Sequence, residues 1–212
     1  MRDFPVFTTE NGVGSLVLKE IPYSGAAYVT IRDSSFPTKF LDECVSFCRA
    51  VGAEKIYATG CDLLKKFPVY MSVIRMTASI DTIPQTEACL FPVTEKTISQ
   101  WCEIYNDRMK QVDNAAYMSE NAGKEMLKRG DGYFVHTDGT LLGIGIASCD
   151  GISCVASVVR GKGRDVVSAL AHGLCGDTIQ LEVASTNHRA IRLYESLGFT
   201  QTAELSRWYK IF

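Results

Sequence analysis

The stretch LEVASTNHRAIRLYESLGF, residues 181–199, carries the strongest structural signal in the sequence. Its first residues alternate as in a β-strand, a polar turn follows, and a helical pattern then runs to Gly198. Two residues are unusual in these elements. Glu182 is an acid in a strand otherwise built of Ile, Leu and Val, and Tyr194 is a phenol on the apolar stripe of the helix. An acid and a phenol on consecutive elements are residue types that transfer protons.

Composition places the chain among ordinary globular proteins. Hydrophobic residues make up 46% of the 212 residues and charged residues 22%, which is enough apolar material for a real core. The net charge is −2, from 22 basic and 24 acidic side chains, so no basic excess points to nucleic acid. No apolar run reaches the roughly 18 residues that span a bilayer. We therefore expect a protein that binds neither nucleic acid nor membranes.

The start of the sequence and the cysteines indicate a cytoplasmic protein. MRDFPVFTTENG contains acids and a proline where a signal peptide needs an apolar core. The eight cysteines form no C-x-x-C pair, and we predict reduced, buried thiols that pack as small hydrophobes. Cys44 and Cys48 lie one helical turn apart without a histidine or an acidic cluster, so we predict no metal site.

The order of predicted elements divides the chain into two α/β parts. Residues 1–80 contain a hairpin at Asn11-Gly12, followed by strand, helix, strand, helical turn and strand. A polar join, residues 80–87, contains Pro84 and marks the predicted boundary. Residues 87–212 read β-α-α-β-β-β-α-β-α-β, with a second hairpin turn at Asp138-Gly139. This order predicts a mixed α/β sheet with helices on its faces.

The segment RGKGRD, residues 160–165, lies between a predicted strand and a predicted helix. Backbone N–H groups at a helix N-terminus are unpaired, and glycines let a diphosphate approach them closely. Arg160, Lys162 and Arg164 add positive charge. The segment is therefore either a phosphate cradle or a tight, solvated, basic turn. It matches neither the P-loop nor the G-x-G-x-x-G pattern.

Two motifs together resemble the GNAT superfamily, the Gcn5-related N-acetyltransferases. RGKG after a strand is similar to that family's coenzyme A pyrophosphate loop, R/Q-x-x-G-x-G/A. N-x-x-A-x-x-L-Y-E-x-L-G-F, residues 187–199, is similar to its second signature, and the element order of residues 87–212 matches its fold. The resemblance implies a mixed, mainly antiparallel, twisted sheet flanked by helices. Residues 1–80 would be a preceding α/β half-domain.

The resemblance implies acetyl-CoA as the co-substrate, without a metal. The glycine loop would hold the pyrophosphate, the backbone before it would pair with the pantetheine, and an asparagine would hold the coenzyme arm. Asp165 departs from the family pattern of Gly or Ala, and its carboxylate would repel a phosphate unless it turns away to cap the helix. The implied binding residues are Val158, Val159, Arg160, Gly161, Lys162, Gly163, Arg164 and Asn187.

The resemblance also implies roles for the two unusual residues. LEV followed by a tyrosine, 194 − 182 = 12 positions after its glutamate, is similar to the subgroup that acetylates protein N-termini, including those of ribosomal proteins. Carried over, Glu182 would be the general base for the acceptor ammonium and Tyr194 the general acid for the leaving thiolate. The alternative for Glu182 is a salt bridge to Arg189, Arg192 or Lys162. The alternative for Tyr194 is a core position with its hydroxyl on a backbone carbonyl.

The two parts resemble each other in element order. Residues 27–64 and 154–191 both run strand, loop, helix, strand, helix, which indicates either an old duplication with a truncated first copy or chance similarity. The loop DSSF, residues 33–36, lacks the glycines of RGKG. We therefore predict that the first part binds no coenzyme and either lines the acceptor site or is purely structural.

We predict an acetyl-CoA-dependent N-acetyltransferase that acts on a primary amine, either of a small molecule or of a protein N-terminus. The alternatives are a non-catalytic acyl-CoA-binding or regulatory module and a site for another nucleotide. LSRWYKIF, residues 205–212, predicts a strand that either pairs with a second copy in a homodimer or is covered within one chain. The expected wall of the acceptor site is formed by Tyr105, Asp113, Asn114 and Tyr117.

Overall fold

The computed structural model describes residues 5–113, 115–173 and 176–212. Asn114, predicted in the acceptor wall, and Cys175, one of the eight cysteines, lie outside the described residues. The elements are β1 (Val6–Thr9), β2 (Gly12–Val17), α1 (Ile21–Ser24), β3 (Ala26–Ser34), α2 (Pro37–Ala50), β4 (Lys55–Thr59), β5 (Val69–Ser79), β6 (Cys89–Pro92), α3 (Ile98–Met109), α4 (Glu120–Arg129), β7 (Gly132–Thr137), β8 (Thr140–Ser148), β9 (Gly151–Ser157), α5 (Gly163–His172), β10 (Thr178–Ala184), α6 (His188–Glu195) and β11 (Thr200–Lys210), with 3₁₀ turns at Asp62–Lys66 and Ile80–Thr82.

The chain folds into two compact units. The first unit is the chain up to Ser72 together with Leu205–Phe212, and the second unit is Val73–Glu204. This division falls inside β5 and β11, whereas the sequence predicted a boundary at the polar join 80–87. Strand pairing explains the difference, since β5 from Val73 onward pairs with β10 and the final residues of β11 pair with β4. A polar segment therefore does not mark the boundary here.

The first unit is a sheet of order β1-β2-β3-β4-β11, with β3 and β4 parallel and joined by α2. Its core is built from the apolar faces of these elements around the fully buried Phe40. Glu43 on α2 accepts hydrogen bonds of 2.6 Å from Thr9 Oγ1 and from Asn11 Nδ2, which fixes the predicted hairpin turn against the helix. Tyr209 pairs with Ala58 and Lys210 with Tyr57, so the end of the predicted strand 205–212 pairs within the chain, while a homodimer stays a prediction.

Because of two buried thiols in the first unit, we expect the free energy of unfolding to decrease in alkaline solution. Burial raises the pKa of Cys44 to about 12 and that of Cys48 to about 11, from an ordinary 9.0. Above pH 9 the unfolded chain releases these protons and the folded chain keeps them. The free energy of unfolding is therefore unaffected below pH 9 and decreases as the pH rises from 9 toward the folded pKa values. We expect a loss of about 1.4 kcal/mol per pH unit and thiol, measured by urea unfolding at pH 8–10.5.

A matched pair of variants isolates this effect. Cys44→Ala should flatten the pH dependence of the unfolding free energy between pH 9 and pH 10.5, although it also lowers the absolute stability by opening a small cavity. Cys89→Ala removes an exposed thiol and should leave the slope at its wild-type value. Equal slopes for wild type and Cys44→Ala would rule out the explanation from buried thiols.

The cysteines as a group follow the prediction in part. Cys44 and Cys48 are fully buried, as predicted, but Cys89 and Cys149 are exposed. Both exposed thiols lie near the ends of strands, where a short apolar context does not guarantee burial. The remaining described cysteines are partly buried: Cys61, Cys102 and Cys154.

The second unit is a sheet of order β5-β10-β9-β8-β7-β6, antiparallel except for the pair β9 and β10. Helices cover both faces: α5 and α6 pack on one core, and α3 and α4 pack on another around the fully buried Trp101. Gly145 lets α5 approach β8, because a Cβ atom there would lie 2.3 Å from Leu170 Cδ1. The predicted fold class, a mixed and mainly antiparallel sheet flanked by helices, is confirmed.

Both units contain the same β-α-β connection. In the first unit β3, α2 and β4 form it, and in the second unit β9, α5 and β10 form it, each with a parallel strand pair. The order that the sequence suggested for both parts is therefore present in both sheets, while a common origin by duplication stays a prediction. Among the described residues, no helix combines the length and the hydropathy needed to cross a membrane.

Candidate active site

Strands β9 and β10 meet at one end and part at the other. Within the described chain they share one registered pair, Leu181 with Ile152. Gly151 has a φ of 131°, and a Cβ atom there would lie 2.3 Å from Gln180 O, so glycine is required for this close approach. The Gln180 Nε2 group donates a hydrogen bond of 2.6 Å to Asp150 O and closes this end further.

A cavity of about 960 Å³ occupies the space where the two strands diverge. Ser153–Ser157 of β9 form one side and Glu182–Ala184 of β10 form the other. The opposite edge of β9 pairs with β8. Alternate N–H and C=O groups of Ser153–Ser157 therefore face the gap without a strand partner. An extended ligand with amide groups can complete this edge as an added strand would.

The N-terminus of α5 opens onto the same cavity. Gly161, which has a φ of 85°, and Gly163 line it, together with Arg164. The N–H groups of Gly163, Arg164 and Asp165 have no backbone acceptor in the described part of the chain. Unpaired N–H groups at the start of a helix attract anions. The geometry therefore favours the phosphate cradle over a plain solvated turn.

The charged side chains of the loop divide into two sets. Arg164 lines the cavity, with its Nη2 group 3.2 Å from Ser196 Oγ. Arg160 and Lys162 are exposed and are not among the described residues that line the cavity. Lys162 Nζ instead lies 3.2 Å from Asp165 Oδ2. This ion pair offsets the carboxylate that departs from the family pattern, so Asp165 is less repulsive to an anion than its sequence position suggests.

The backbones of Val158 and Val159, which were predicted to pair with the pantetheine, make hydrogen bonds within the protein, and the pairing itself stays a prediction. Their N–H groups donate to the same acceptor, Leu142 O, at 2.9 Å and 3.4 Å. Both N–H groups are thus engaged inside the protein. The strand ends at Ser157, and the open edge of Ser153–Ser157 directly precedes the two valines. The register of the strand end could not be read from the sequence.

Tyr194 lies on α6 with its side chain 8% exposed, and it lines the cavity. Its ring packs against Phe199, with centroids 5.8 Å apart. Its hydroxyl has no hydrogen-bond partner among the described residues. Burial, with a smaller contribution from the neighbouring thiol of Cys154, raises the pKa of Tyr194 well above its ordinary value. The group is therefore a neutral proton donor, and its hydroxyl has no acceptor in the described part of the chain.

Glu182 alternates out of the core, as predicted. Its neighbours Leu181 and Val183 are buried, and the Glu182 carboxylate lines the cavity with 55% of its side chain exposed. Its ion-pair partner is Arg75, whose Nη2 atom lies 3.3 Å from Glu182 Oε1. The sequence predicted a different partner for Glu182, one of three basic residues: Arg189, Arg192 or Lys162. Arg75 stands directly opposite Glu182 on β5, a pairing that sequence proximity could not reveal.

Asn187 has a local structural role in addition to any ligand contact. It is the N-cap of α6, where its Oδ1 atom accepts a hydrogen bond of 3.1 Å from Ala190 N. It also lines the cavity, and within the described residues its Nδ2 group has no partner. The amide therefore has a free donor group for a ligand while its oxygen starts the helix.

The predicted acceptor wall is partly assembled around the cavity. Tyr105 and Asp113 line it, whereas Tyr117 is not among the described lining residues. Thr186 Oγ1 donates a hydrogen bond of 2.6 Å to Asp113 Oδ2, which ties the segment after α3 to the start of α6. Asp113 therefore has a structural role at the edge of the cavity.

Two residues were not singled out from the sequence, one that lines the cavity and one that pairs with the lining residue Glu182. Cys154 of β9 lines the cavity near Tyr194, and burial raises the pKa of its thiol to about 12, so it is a neutral group there. Arg75 interrupts an apolar strand in the same way as Glu182, which was an available signal for it. No group of three or more potential metal ligands is found in the described part of the chain.

Comparisons with known proteins agree with this architecture. The family model FR47-like protein matches residues 154–209. An acetyltransferase of the GNAT family from Colwellia psychrerythraea is 13% identical with a TM-score of 0.53, covering 97% of this chain and 84% of that one. A tandem GNAT protein from the clavulanic acid biosynthesis pathway is 14% identical with a TM-score of 0.51, covering 94% and 78%. A conserved protein of unknown function from Staphylococcus epidermidis is 9% identical with a TM-score of 0.60, covering 99% and 94%.

At these identities the solved structures establish the fold. No curated protein sequence matches the chain. The family-model match and the shared fold together confirm the predicted resemblance to the GNAT superfamily. The subgroup that acetylates ribosomal proteins stays a prediction.

Proposed function

We propose that this GNAT-fold protein transfers the acetyl group of acetyl-CoA to a primary amine. The observation that carries the proposal is the cavity between the diverging strands β9 and β10, which holds Tyr194 and Glu182 on its walls. An unbonded tyrosine hydroxyl in the cavity favours a catalytic role over the alternative core role, which requires the hydroxyl to reach a backbone carbonyl. The acceptor is either a small molecule or a protein N-terminus.

The cavity offers two features that suit coenzyme A. The unpaired N–H groups at the start of α5, with Arg164, form an anion site for the pyrophosphate. The open edge of Ser153–Ser157 suits the amides of the pantetheine arm, and Asn187 Nδ2 offers a further donor. When bound, acetyl-CoA supplies an activated thioester.

Each of the two side chains then moves one proton. Glu182 accepts a proton from the acceptor ammonium, directly or through water, so that the amine nitrogen can form a bond to the carbonyl carbon. Tyr194 donates its proton to the sulfur as the carbon–sulfur bond breaks. Its raised pKa ensures that the hydroxyl is protonated at neutral pH. As the amide forms, the nitrogen loses its second proton, which restores Tyr194 directly or through water, and Glu182 releases its proton to solvent.

Calorimetric titration with acetyl-CoA tests the binding step. We expect wild type to bind and Arg164→Ala to bind about tenfold more weakly, because a charge-assisted contact to phosphate is lost. The double variant Arg160→Ala, Lys162→Ala should lose less affinity, because both side chains are exposed and do not line the cavity. Arg129→Ala removes a distant arginine that pairs with Asp131 and serves as the matched control.

The result also separates the alternatives. A folded protein that does not bind acetyl-CoA would contradict the proposal at its first step. Binding without turnover on any amine would instead favour the non-catalytic acyl-CoA module. Asp165 motivates this second function, because its carboxylate departs from the family pattern at the helix start that would hold the pyrophosphate.

A further inference from the structure

Arg75 has unused hydrogen-bonding capacity at the margin of the cavity. Within the described residues its guanidinium has one partner, the Glu182 carboxylate, which it reaches through Nη2. The Nε atom of Arg75 is buried and has no hydrogen-bond partner within the described chain. A buried N–H donor without an acceptor is costly in a folded protein. Beside a site, an acceptor atom of a ligand or of a bound water can satisfy such a group.

The position of Arg75 places this donor next to Glu182, which lines the cavity, although Arg75 itself is not among the described lining residues. Arg75 pairs with Glu182 across β5 and β10, so both side chains extend from the same face of the sheet. Val73, two residues earlier on that face, lines the cavity, and Glu182 lines it as well. The guanidinium therefore stands beside the carboxylate that would deprotonate the acceptor.

The two side chains form a pair of opposite charges 3.3 Å apart. An α-amino acid carries the complementary pair, an ammonium and a carboxylate separated by one carbon atom. When it binds, Glu182 can receive the ammonium while Arg75 receives the carboxylate. The ion pair between Arg75 and Glu182 is thereby replaced by two ion pairs with the ligand. The Nε–H group of Arg75 gains an acceptor, in the planar two-bond geometry that arginine prefers for carboxylates.

We propose that the acceptor is a small molecule that carries a free carboxylate next to its primary amine, as in an α-amino acid, and that Arg75 determines this specificity. The inference rests on the proposed function, because it names the acceptor of the same site. The transfer is balanced: the amine nitrogen bonds to the acetyl carbon and the carbon–sulfur bond breaks. Glu182 takes one ammonium proton, Tyr194 protonates the thiolate, and the second proton that the nitrogen loses as the amide forms returns to Tyr194 directly or through water. The acceptor carboxylate does not react.

A protein N-terminus fits this pair less well. Its α-carboxylate has become a neutral peptide carbonyl, which leaves the charge of Arg75 uncompensated once Glu182 engages the ammonium. A neutral carbonyl accepts a weaker hydrogen bond from a guanidinium than a carboxylate does. The charge pattern therefore favours free amino acids over peptides and over carboxamides.

The test compares a panel of L-α-amino acids with the corresponding carboxamides. Binding is measured by NMR-detected titration of the protein alone and of the protein saturated with coenzyme A, and turnover is measured with acetyl-CoA. We expect at least one amino acid to be preferred about tenfold or more over its carboxamide. Arg75→Gln should reduce this ratio to near one, Arg75→Lys should retain part of it, and the control Arg129→Gln should leave it unchanged.

The outcomes separate this inference from the proposed function. A carboxylate preference that depends on Arg75, in a protein that binds no acetyl-CoA, would support the acceptor site and overturn the acetyl transfer. Acetyl transfer to peptides or carboxamides at least as fast as to amino acids would overturn the inference and leave the proposed function intact. A preference that survives in a folded Arg75→Gln variant, or no binding by any panel member, would also overturn it.

Discussion

Replacing Tyr194 by phenylalanine is expected to lower kcat for acetyl transfer by about 10²- to 10³-fold, the usual effect of removing a general acid. The ring contact to Phe199 is retained in this variant, because only the hydroxyl is lost. That hydroxyl makes no hydrogen bond within the described residues, so its removal leaves no protein group unsatisfied. Acetyl-CoA affinity should therefore stay within about twofold of wild type.

Single-turnover kinetics and calorimetry on the same preparation check both parts of this expectation. Tyr133→Phe is the matched control, since Tyr133 is a partly buried tyrosine on β7 that does not line the cavity. It should leave kcat unchanged. If Tyr194→Phe turned over as fast as the wild type, the phenol would be a packing residue and the proton for the leaving thiolate would come from elsewhere.

Deleting residues 205–212 should prevent the first unit from folding stably. This segment supplies Tyr209, which is 8% exposed within the core of the unit, and Trp208, whose ring contacts Tyr28 edge-on with centroids 5.6 Å apart. It also pairs with β4 through Tyr209 and Lys210. The deletion thus removes buried apolar area and exposes a strand edge at the same time.

Hydrogen exchange of α2 measures this loss directly, because its amides should exchange rapidly in the deletion variant. The point variant Tyr209→Ala removes one buried side chain of this segment and should lower the free energy of unfolding by about 3 kcal/mol. Lys210→Ala changes an exposed side chain on the same segment and should cost less than about 0.5 kcal/mol. Protected α2 amides after deletion would show that the unit is stable without the segment.

Most elements of the fold were readable from local patterns. The hairpin turn at Asp138-Gly139 appears as predicted, whereas the first hairpin turns at Glu10-Asn11, one residue before the predicted Asn11-Gly12. The strand predicted at the end of the first part is β5, and the helix that carries Tyr194 begins after the cap Asn187. These features depend on alternation, helical periodicity and turn chemistry, which are properties of neighbouring residues.

Residues of the candidate site could be predicted from the sequence only where a residue type interrupts a local pattern. Glu182 stands out because an acid interrupts an apolar strand, and the same signal was present at Arg75. Their pairing depends on which strands become neighbours, and that information is spread over the whole chain. The same limitation explains why the sequence did not predict the hydrogen bonds that the Val158 and Val159 N–H groups make to a carbonyl of β8.

The pairing of β11 with β4 has a consequence for biosynthesis. Tyr209 follows its partner Ala58 by 209 − 58 = 151 residues. At translation speeds of about 5–20 residues per second, β11 is synthesised roughly 8–30 s after β4, and the edge of β4 stays unpaired for that time. The first unit, although it emerges from the ribosome early, is therefore completed only after the second unit has been synthesised. During that interval the nascent chain presents an unpaired β edge, the kind of surface on which chaperones and aggregation compete.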